Sequence, residues 1–488
     1  MTGLLDPRPA TALDSVPTTR QVLSGWGGTA PSAADVIRPR TGEEVDAVME
    51  AVVDGDRAVL ARGLGRCYGD AAQCAGGVVV DATGLDAVLA ADLEAGWVRV
   101  GAGMSLDTLM RLLLPRGWFV PVSPGTRFVT VGGAIAADIH GKNHHADGSF
   151  CTHVTRLSLA TPTGRHEVGP EDDPELFWAT AGGMGLTGIV VDATVRLLPV
   201  ETSLMVVDTE RFADVDGVMA AMVEGDHRYR YSVAWVDSLA RGRHLGRAVL
   251  GRGDHARRHD LPADTGDDDA RAFDPGGRLP VPFRPPSGLL NPLTVGLFNE
   301  AWYRKAPRRR LGQLQALPSF FHPLDGVEGW NRIYGPRGFL QYQCVVPDAA
   351  AGTIGAILER TASFRAASFV TVLKRFGPGD PGPLSFPMAG WTLTLDLATG
   401  DPRLGPFLDG LDTLVAEAGG RLYLAKDSRL RPELLEAMYR GLPRWRAARR
   451  RVDPDGRLVS DLARRLGLVG AAGRREPGSD DERGDPKP

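Results

Sequence analysis

The sequence predicts an α+β protein of two domains, the second built on an antiparallel sheet. Three observations lead there. Between Thr41 and about Val200, short apolar strands and helices mix with glycine-rich turns, without the regular βαβ alternation of a doubly wound sheet. From about Glu201 to Thr399 the texture changes to aromatic and β-branched runs of strand length. The chain has 488 residues, 43% hydrophobic and 24% charged, enough apolar material for more than one core.

In chain order, Val45, Val48, Met49 and Val52 fall at i, i+3, i+4 and i+7, one face of a helix. Residues 58–61, 77–81 and 97–100 read as short strands. Leu106, Leu109, Met110 and Leu113 mark a second helix, with Ser105 as its N-cap. In the second region, residues 229–236, 339–346 and 391–397 read as sheet strands, and 350–365 as a flanking helix. Residues 404–418 form a helix stopped by Gly419-Gly420, followed by a strand at 421–425 and a helix at 432–439. Residues 1–20, rich in Pro, Thr and Ala, are expected to be loose, and 469–488 lack the apolar content to fold and are expected to be a disordered tail. Residues 253–288, with three consecutive aspartates and six prolines, are expected to form a mobile loop. There is no internal repeat.

Composition excludes several functions. With 56 basic and 60 acidic residues the net charge is −4, which argues against nucleic-acid binding. Four cysteines (Cys67, Cys74, Cys151, Cys344) with no C-x-x-C pair exclude a disulfide scaffold or a cysteine-rich zinc module. No run approaches the ~18 apolar residues of a membrane span. The first 20 residues carry Asp6 and Asp14 and no apolar h-region, so no secretion signal is expected. That reading suits a cytoplasmic protein or one peripheral to the cell membrane; either membrane face stays open. The 61 glycines are well above the usual share, as expected where backbone must approach a phosphate-bearing cofactor closely.

Three segments carry chemistry. The first is ARGLGRCYGD (61–70), three glycines directly after a strand. Such a turn offers successive backbone N–H groups to a pyrophosphate, or is a tight turn with no ligand. It is not the G-x-G-x-x-G of a dinucleotide-binding helix. The second is PGT (124–126) followed by TVGGAIAADIHG (130–141), whose small residues let backbone lie against a planar group or let a helix pack tightly on a neighbour. The third is GGMGLTGIV (182–190), a turn feeding a strand. His140, His144 and His145 lie within six residues, but no acidic partner stands at zinc spacing, and no metal is expected.

In this order the three segments resemble the FAD domain of the vanillyl-alcohol oxidase/p-cresol methylhydroxylase superfamily. The resemblance implies a PCMH-type FAD-binding domain over 21–200, a substrate (cap) domain over 201–419 and a C-terminal return to the FAD domain over 420–468. Eight further segments sharpen it: GWGGTAP (25–31), DIHGKNHH (138–145), WYRK (302–305), HPLD (322–325), WNR (330–332), FLQYQ (339–343), LSFP (384–387) and YLAKDS (423–428). Together they are similar to the family of flavoenzymes that oxidise the ribose 2'-hydroxyl of decaprenylphosphoryl-β-D-ribose to a ketone. The resemblance also implies a short-chain dehydrogenase/reductase partner that reduces the ketone to the arabinose epimer for cell-wall arabinan. The substrate's lipid tail implies peripheral membrane contact, where the 253–288 loop and the segment Pro307-Arg308-Arg309-Arg310 could guide the phosphate and prenyl chain toward the pocket, or form a merely solvated charge run.

By the same resemblance, FAD is held by Ala61, Arg62, Gly63, Leu64, Gly65, Arg66, Cys67, Tyr68, Gly69, Asp70 and Ala71. Gly125, Thr130, Val131, Gly132, Gly133, Ala137, Asp138, Ile139, His140, Val190 and Tyr423 complete the set. Lys426, His140 and Tyr68 are the catalytic candidates, with the proton acceptor left open and Lys142 a further polar candidate. Lys426 could instead pair with Asp427 at the surface. Gln341, Gln343, Lys374, Thr392 and Thr394 match substrate-pocket positions. Tyr68 stands where some superfamily members tether FAD through a histidine, so the FAD is expected to be non-covalent. Thr392 and Thr394 stand where asparagine and cysteine are expected, and a threonine lacks the thiolate that covalent agents attack. Two other readings remain at this point: an alditol or sugar-lactone oxidase of the same fold using O2, and a flavin-fold scaffold without catalysis.

Overall fold

The computed structural model describes residues 18–55 and 57–469. Most of the loose N-terminal segment and of the tail expected from the sequence therefore lies outside the described residues.

Two sheets form the first region. Strands β1 (Thr19–Leu23), β2 (Ser32–Ile37), β3 (Val59–Arg62) and β4 (Val78–Asp81) pair in the order β1-β2-β4-β3. Its inner pairings, β2 with β4 and β3 with β4, are parallel. Strands β5 (Val88–Asp92), β6 (Trp97–Gly101), β7 (Val154–Thr161), β8 (Gly164–Val168) and β9 (Ile189–Arg196) form an antiparallel sheet in the order β5-β6-β9-β7-β8. Helix α1 (Gly42–Asp54) starts at Thr41, whose hydroxyl accepts from Glu44 N–H, and buries the valine–methionine face read from the sequence. Helix α2 (Leu106–Leu113) is capped by Ser105 in the same way. The 130–141 segment is a one-and-a-half-turn helix, α3 (Val131–Ala136), capped by the Thr130 hydroxyl.

The second region is one eight-stranded sheet. It holds β10 (Leu204–Phe212), β11 (Tyr231–Val236), β12 (Ala248–His255), β13 (Arg309–Ala316), β14 (Phe339–Val346), β15 (Val372–Phe376), β16 (Gly390–Ala398) and β17 (Arg421–Leu422). Their order is β13-β10-β12-β11-β15-β16-β14-β17. The strand expected over 421–425 stops at Leu422, because Tyr423 to Asp427 turn back on themselves with the N–H of both Lys426 and Asp427 donating to Tyr423 C=O. Residues 253–288 are not one loop: β12 runs through His255, Asp267–Arg271 is helical, and Leu279–Pro280 pairs in parallel with Val327–Glu328.

After Leu422 the chain returns to the first region. Val59 N–H donates to Arg457 C=O (2.8 Å) and Val459 N–H to Val59 C=O (3.1 Å), so the return extends the β3 edge. Trp445, fully buried, donates to Ala179 C=O at 3.1 Å. Arg465 makes a two-pronged ion pair with Asp70 (2.9 and 2.8 Å) and reaches Asp427 at 2.9 Å. No helix among the described residues is long and apolar enough to cross a membrane.

Candidate active site

The three glycine segments of the sequence touch one another. A Cβ on Gly63 would lie 2.2 Å from Thr130 Oγ1, the hydroxyl that caps α3. At the other end of α3, Gly182 N–H donates to Ile135 C=O (3.0 Å) and Met184 N–H to Ala136 C=O (2.8 Å). Among the described residues, nothing accepts a hydrogen bond from the backbone N–H of Leu64, Gly65 or Arg66. Gly65 has φ +64°, a conformation that favours glycine. Three successive unpaired donors in such a turn fit a pyrophosphate. Gly125 faces open space, with no atom within 4 Å of where its Cβ would be. These features fit FAD.

Several residues of the FAD set also have partners within the chain. The N–H groups of Val131 and Gly132 are already used by Met104 C=O (2.9 Å) and Ala102 C=O (2.8 Å), so Gly132 lets α3 pack tightly on the strand behind it. Gly133 N–H is taken by Thr130. Arg62 is pinned to Ala72 and Ser24 carbonyls, both at 2.8 Å. Asp70 is held by Arg465, and Ala71 and Val190 sit in the core. Asp138, fully buried with φ +38°, accepts from Ser385 Oγ and from Cys151 N–H, fixing the turn that delivers His140. Ile139 is buried beside it. Tyr423 donates to Ala137 C=O (2.8 Å) and stacks on Phe386, with ring centroids 4.6 Å apart. Arg66 covers the Trp26 ring at 3.9 Å, while Leu64 stays 41% exposed.

The loops around the site are tied to the large sheet. Gly27 accepts from Phe339 N–H (2.9 Å) and Asn331 donates to Trp26 C=O (2.9 Å). Asp325 accepts from Thr126 Oγ1 (2.7 Å) and Arg127 N–H (2.9 Å), and His322 bonds Ser123 Oγ (2.7 Å). The 322–325 segment thus holds the 124–126 turn.

Strand register assembles the other wall. Side chains two residues apart share a face of a strand. Gln341 and Gln343 lie on one face of β14, opposite Asp396 and Thr394 of β16, and Lys374 of β15 lies opposite Thr392. Gln343 donates its amide to His140 Nε2 (3.0 Å) and Thr392 Oγ1 (3.2 Å). This bond assigns the ring proton of His140 to Nδ1, which has no partner among the described residues. Gln341 donates to Asp396 Oδ1 at 2.5 Å. The Lys426 amine sits 4.0 Å from the centroid of the Tyr68 ring, and Tyr68 N–H is held by Ala425 C=O at 3.0 Å. Gly69 packs so closely on Asp427 C=O that a Cβ would come within 2.1 Å. Lys426 does not pair with Asp427, whose carboxylate binds Arg465 and the N–H groups of Arg429 and Leu430.

The electrostatics are one-sided. Among the described residues, no carboxylate oxygen lies within 4.0 Å of the amines of Lys142, Lys374 or Lys426. Burial lowers Lys426 to about 8, Lys374 to about 7 and Lys142 to about 7. The other two amines lower Lys374 further, whereas Asp396 draws Lys426 back up. Burial first, then Lys374, His144 and Lys426, hold the His140 imidazole well below its ordinary value. Lowered in this way, the His140 imidazole is held neutral, with Gln343 donating to its Nε2. Burial also lifts the Tyr68 phenol well above its ordinary value, so it stays protonated. Asp396, which the sequence reading passed over, is fully buried and pushed up to about 7 by burial, against the pull of Gln341 and Lys426. The signal was present: it is the one charge in the strand run WTLTLDLA. Lysine scarcity was another. Of 56 basic residues only five are lysines, and two of them, Lys142 and Lys426, act on the charge of a third, Lys374. Unlike arginine, an enclosed lysine can give up its proton.

This arrangement defines an FAD-dependent oxidoreductase of the PCMH type, with an α+β fold in two regions. Residues 33–168 match the FAD binding domain family, and residues 396–466 match the D-arabinono-1,4-lactone oxidase family. The decaprenylphosphoryl-beta-D-ribose oxidase of Mycolicibacterium smegmatis is 46% identical over 457 residues, 93% of this chain and 99% of the relative. A protein of Streptomyces coelicolor described as an uncharacterized protein in the mprA 5' region is 44% identical, over 75% of this chain and all of its own. The L-gulono-1,4-lactone dehydrogenase of Mycobacterium tuberculosis is 30% identical, over 37% of this chain and 42% of its own. The chain belongs to the decaprenylphosphoryl-β-D-ribose oxidase family.

Proposed function

We propose that the protein oxidises the ribose 2'-hydroxyl of decaprenylphosphoryl-β-D-ribose to the 2'-ketone, using non-covalently held FAD. The observation that carries the reading is three half-buried amines, those of Lys142 (which donates to Phe320 C=O), Lys374 and Lys426, with no carboxylate oxygen within 4.0 Å of any of them among the described residues. Such a set costs stability unless an anion or a proton acceptor's task requires it. A phosphate diester supplies the anion, through charge-assisted hydrogen bonds to Lys374 and Lys142. A free polyol or lactone does not.

FAD, when bound, supplies the hydride acceptor that no side chain can. The residues do the rest. Gln343, with His140 and Thr392 behind it, orients the sugar. Lys426, with a value near the working pH, takes the hydroxyl proton in its neutral form. The ammonium so formed stays in place as a positive charge beside the reacting centre. Tyr68 at the tether position leaves the cofactor dissociable. A short-chain dehydrogenase/reductase consumes the ketone, and the protein meets its lipid-linked substrate as a peripheral protein at the membrane.

The test is anaerobic bleaching of the flavin band. Farnesylphosphoryl ribose bleaches the wild-type holoenzyme, xylitol and gulonolactone do not, and Lys426→Met stays yellow with bleaching slowed by about 10³-fold. Acid precipitation leaves the flavin in the supernatant. Bleaching by the free polyol or lactone alone refutes the substrate in favour of the smaller ones, and bleaching by none of them supports the scaffold reading.

A further inference from the structure

Helix α4 (Pro292–Lys305) is inside out for a surface helix of a globular protein. Only Val295 and Asn299 are buried. Leu293 (70% exposed), Leu297 (65%), Phe298 (42%) and Trp302 (43%) face outward, flanked by exposed Leu289 and Leu311. The helix ends in Arg304 and Lys305, followed by the exposed run Arg308-Arg309-Arg310. From residue 284 to 310 the chain holds six basic residues and one acid, Glu300, in a protein whose net charge is −4. That acid is already paired with Arg247 and Arg304.

The patch continues inward as a ladder of rings. Trp302 stacks on Phe298 (centroids 6.0 Å apart), and Phe298 meets Phe369 (5.7 Å). Phe369 meets Tyr334 (6.1 Å), Tyr334 stacks on Phe339 (4.1 Å), and Phe339 meets Tyr68 (5.4 Å), the ring under the Lys426 amine.

We propose that the outward face of α4 seats the protein on an anionic lipid bilayer, with the apolar side chains entering the interface and the basic run lying on the headgroups. Three or four apolar side chains beside a cluster of Lys and Arg is the composition that binds anionic interfaces. Charge complementarity favours this occupant over a second copy of the same chain, since two such faces would oppose cation to cation. The ladder links the patch to the Tyr68 ring through packed side chains, and the docking does not rest on the substrate proposed above.

The test uses the full-length holoenzyme and sedimentation with vesicles of phosphatidylglycerol and phosphatidylcholine, or of phosphatidylcholine alone. The wild type partitions to the anionic vesicles and is released by high salt. Leu293→Ser/Leu297→Ser and, separately, Arg309→Gln/Arg310→Gln each lower partitioning by about tenfold or more, with flavin content and turnover of detergent-solubilised farnesylphosphoryl ribose unchanged. Failure of the wild type to bind, binding by both variants at the wild-type level, or a wild-type dimer that the variants dissociate without any vesicle binding overturns the proposal. Vesicle binding by an enzyme that no prenyl-phospho-ribose bleaches sinks the function and leaves the docking; bleaching without vesicle binding does the reverse.

Discussion

The two walls of the site are made differently. The cofactor wall, from Gly63 to Val190, works with backbone: bare N–H groups at Leu64–Arg66, a capped helix start at Thr130, and glycines where Thr130 and Asp427 press in. The substrate wall works with side chains, drawn from β14, β15, β16 and the turns at 140 and 426. The first wall offers main-chain donors. The second gathers three amines and a carboxyl whose protonation shifts near neutral pH. A backbone wall binds without changing its protonation, whereas a titratable wall can exchange protons at each turnover.

Breaking the backbone wall has the largest effect. Gly63→Val drives a branched side chain into the Thr130 hydroxyl and uncaps α3. The purified variant is expected to be colourless, with flavin absorbance not restored by added FAD and a lowered melting temperature. A yellow, normally stable Gly63→Val protein would remove the distinction between the walls.

The side-chain wall is expected to behave oppositely, losing binding while gaining stability. Lys374 has a folded value of about 7 against an ordinary 10.5. Between those values the unfolded chain binds a proton that the folded chain does not, so wild-type stability rises with pH across that window. Lys374→Met is therefore expected to melt at a higher temperature than wild type below pH about 7, with the gap closing toward pH about 10.5. Its affinity for farnesyl phosphate falls by about tenfold to a hundredfold at pH about 6. The wild-type loss of that affinity as pH climbs through about 7 becomes shallower in the variant. Calorimetric melting and titration across pH check both signs.

The smallest change sharpens one position. Wild-type Thr394, 8% exposed on β16 opposite Gln343, is expected to give no adduct with thiol-directed covalent agents that enter the pocket. Thr394→Cys is expected to gain one adduct by intact-mass spectrometry while keeping its flavin and its stability to within ~1 kcal/mol. An adduct on wild-type Thr394 would contradict this.

Legibility in the sequence follows the same division. The glycine segments at 61–70, 130–141 and 182–190 are local, and their resemblance to an FAD domain implied the cofactor. The helices at 42–54 and 106–113 were equally local, since each carries its apolar face and its cap within a few residues. Asp396 was passed over because its meaning depends on Gln341, 55 residues away, lying opposite it across the sheet. The ties of Asp70 to Arg465 and of Asp138 to Ser385 were not legible because those partners are far along the chain. The 253–288 segment read as one loop because a two-residue parallel pairing with 327–328 leaves no periodic mark.

By itself, then, the order of residues settled which stretches would turn, cap and bare their main chain, because those preferences are decided within one or two turns of polypeptide. Only the folded sheet decided that Lys374 would lie where the charges of Lys142 and Lys426 act on it. An amine's charge depends on what surrounds it, and those surroundings come from strands and turns hundreds of residues apart.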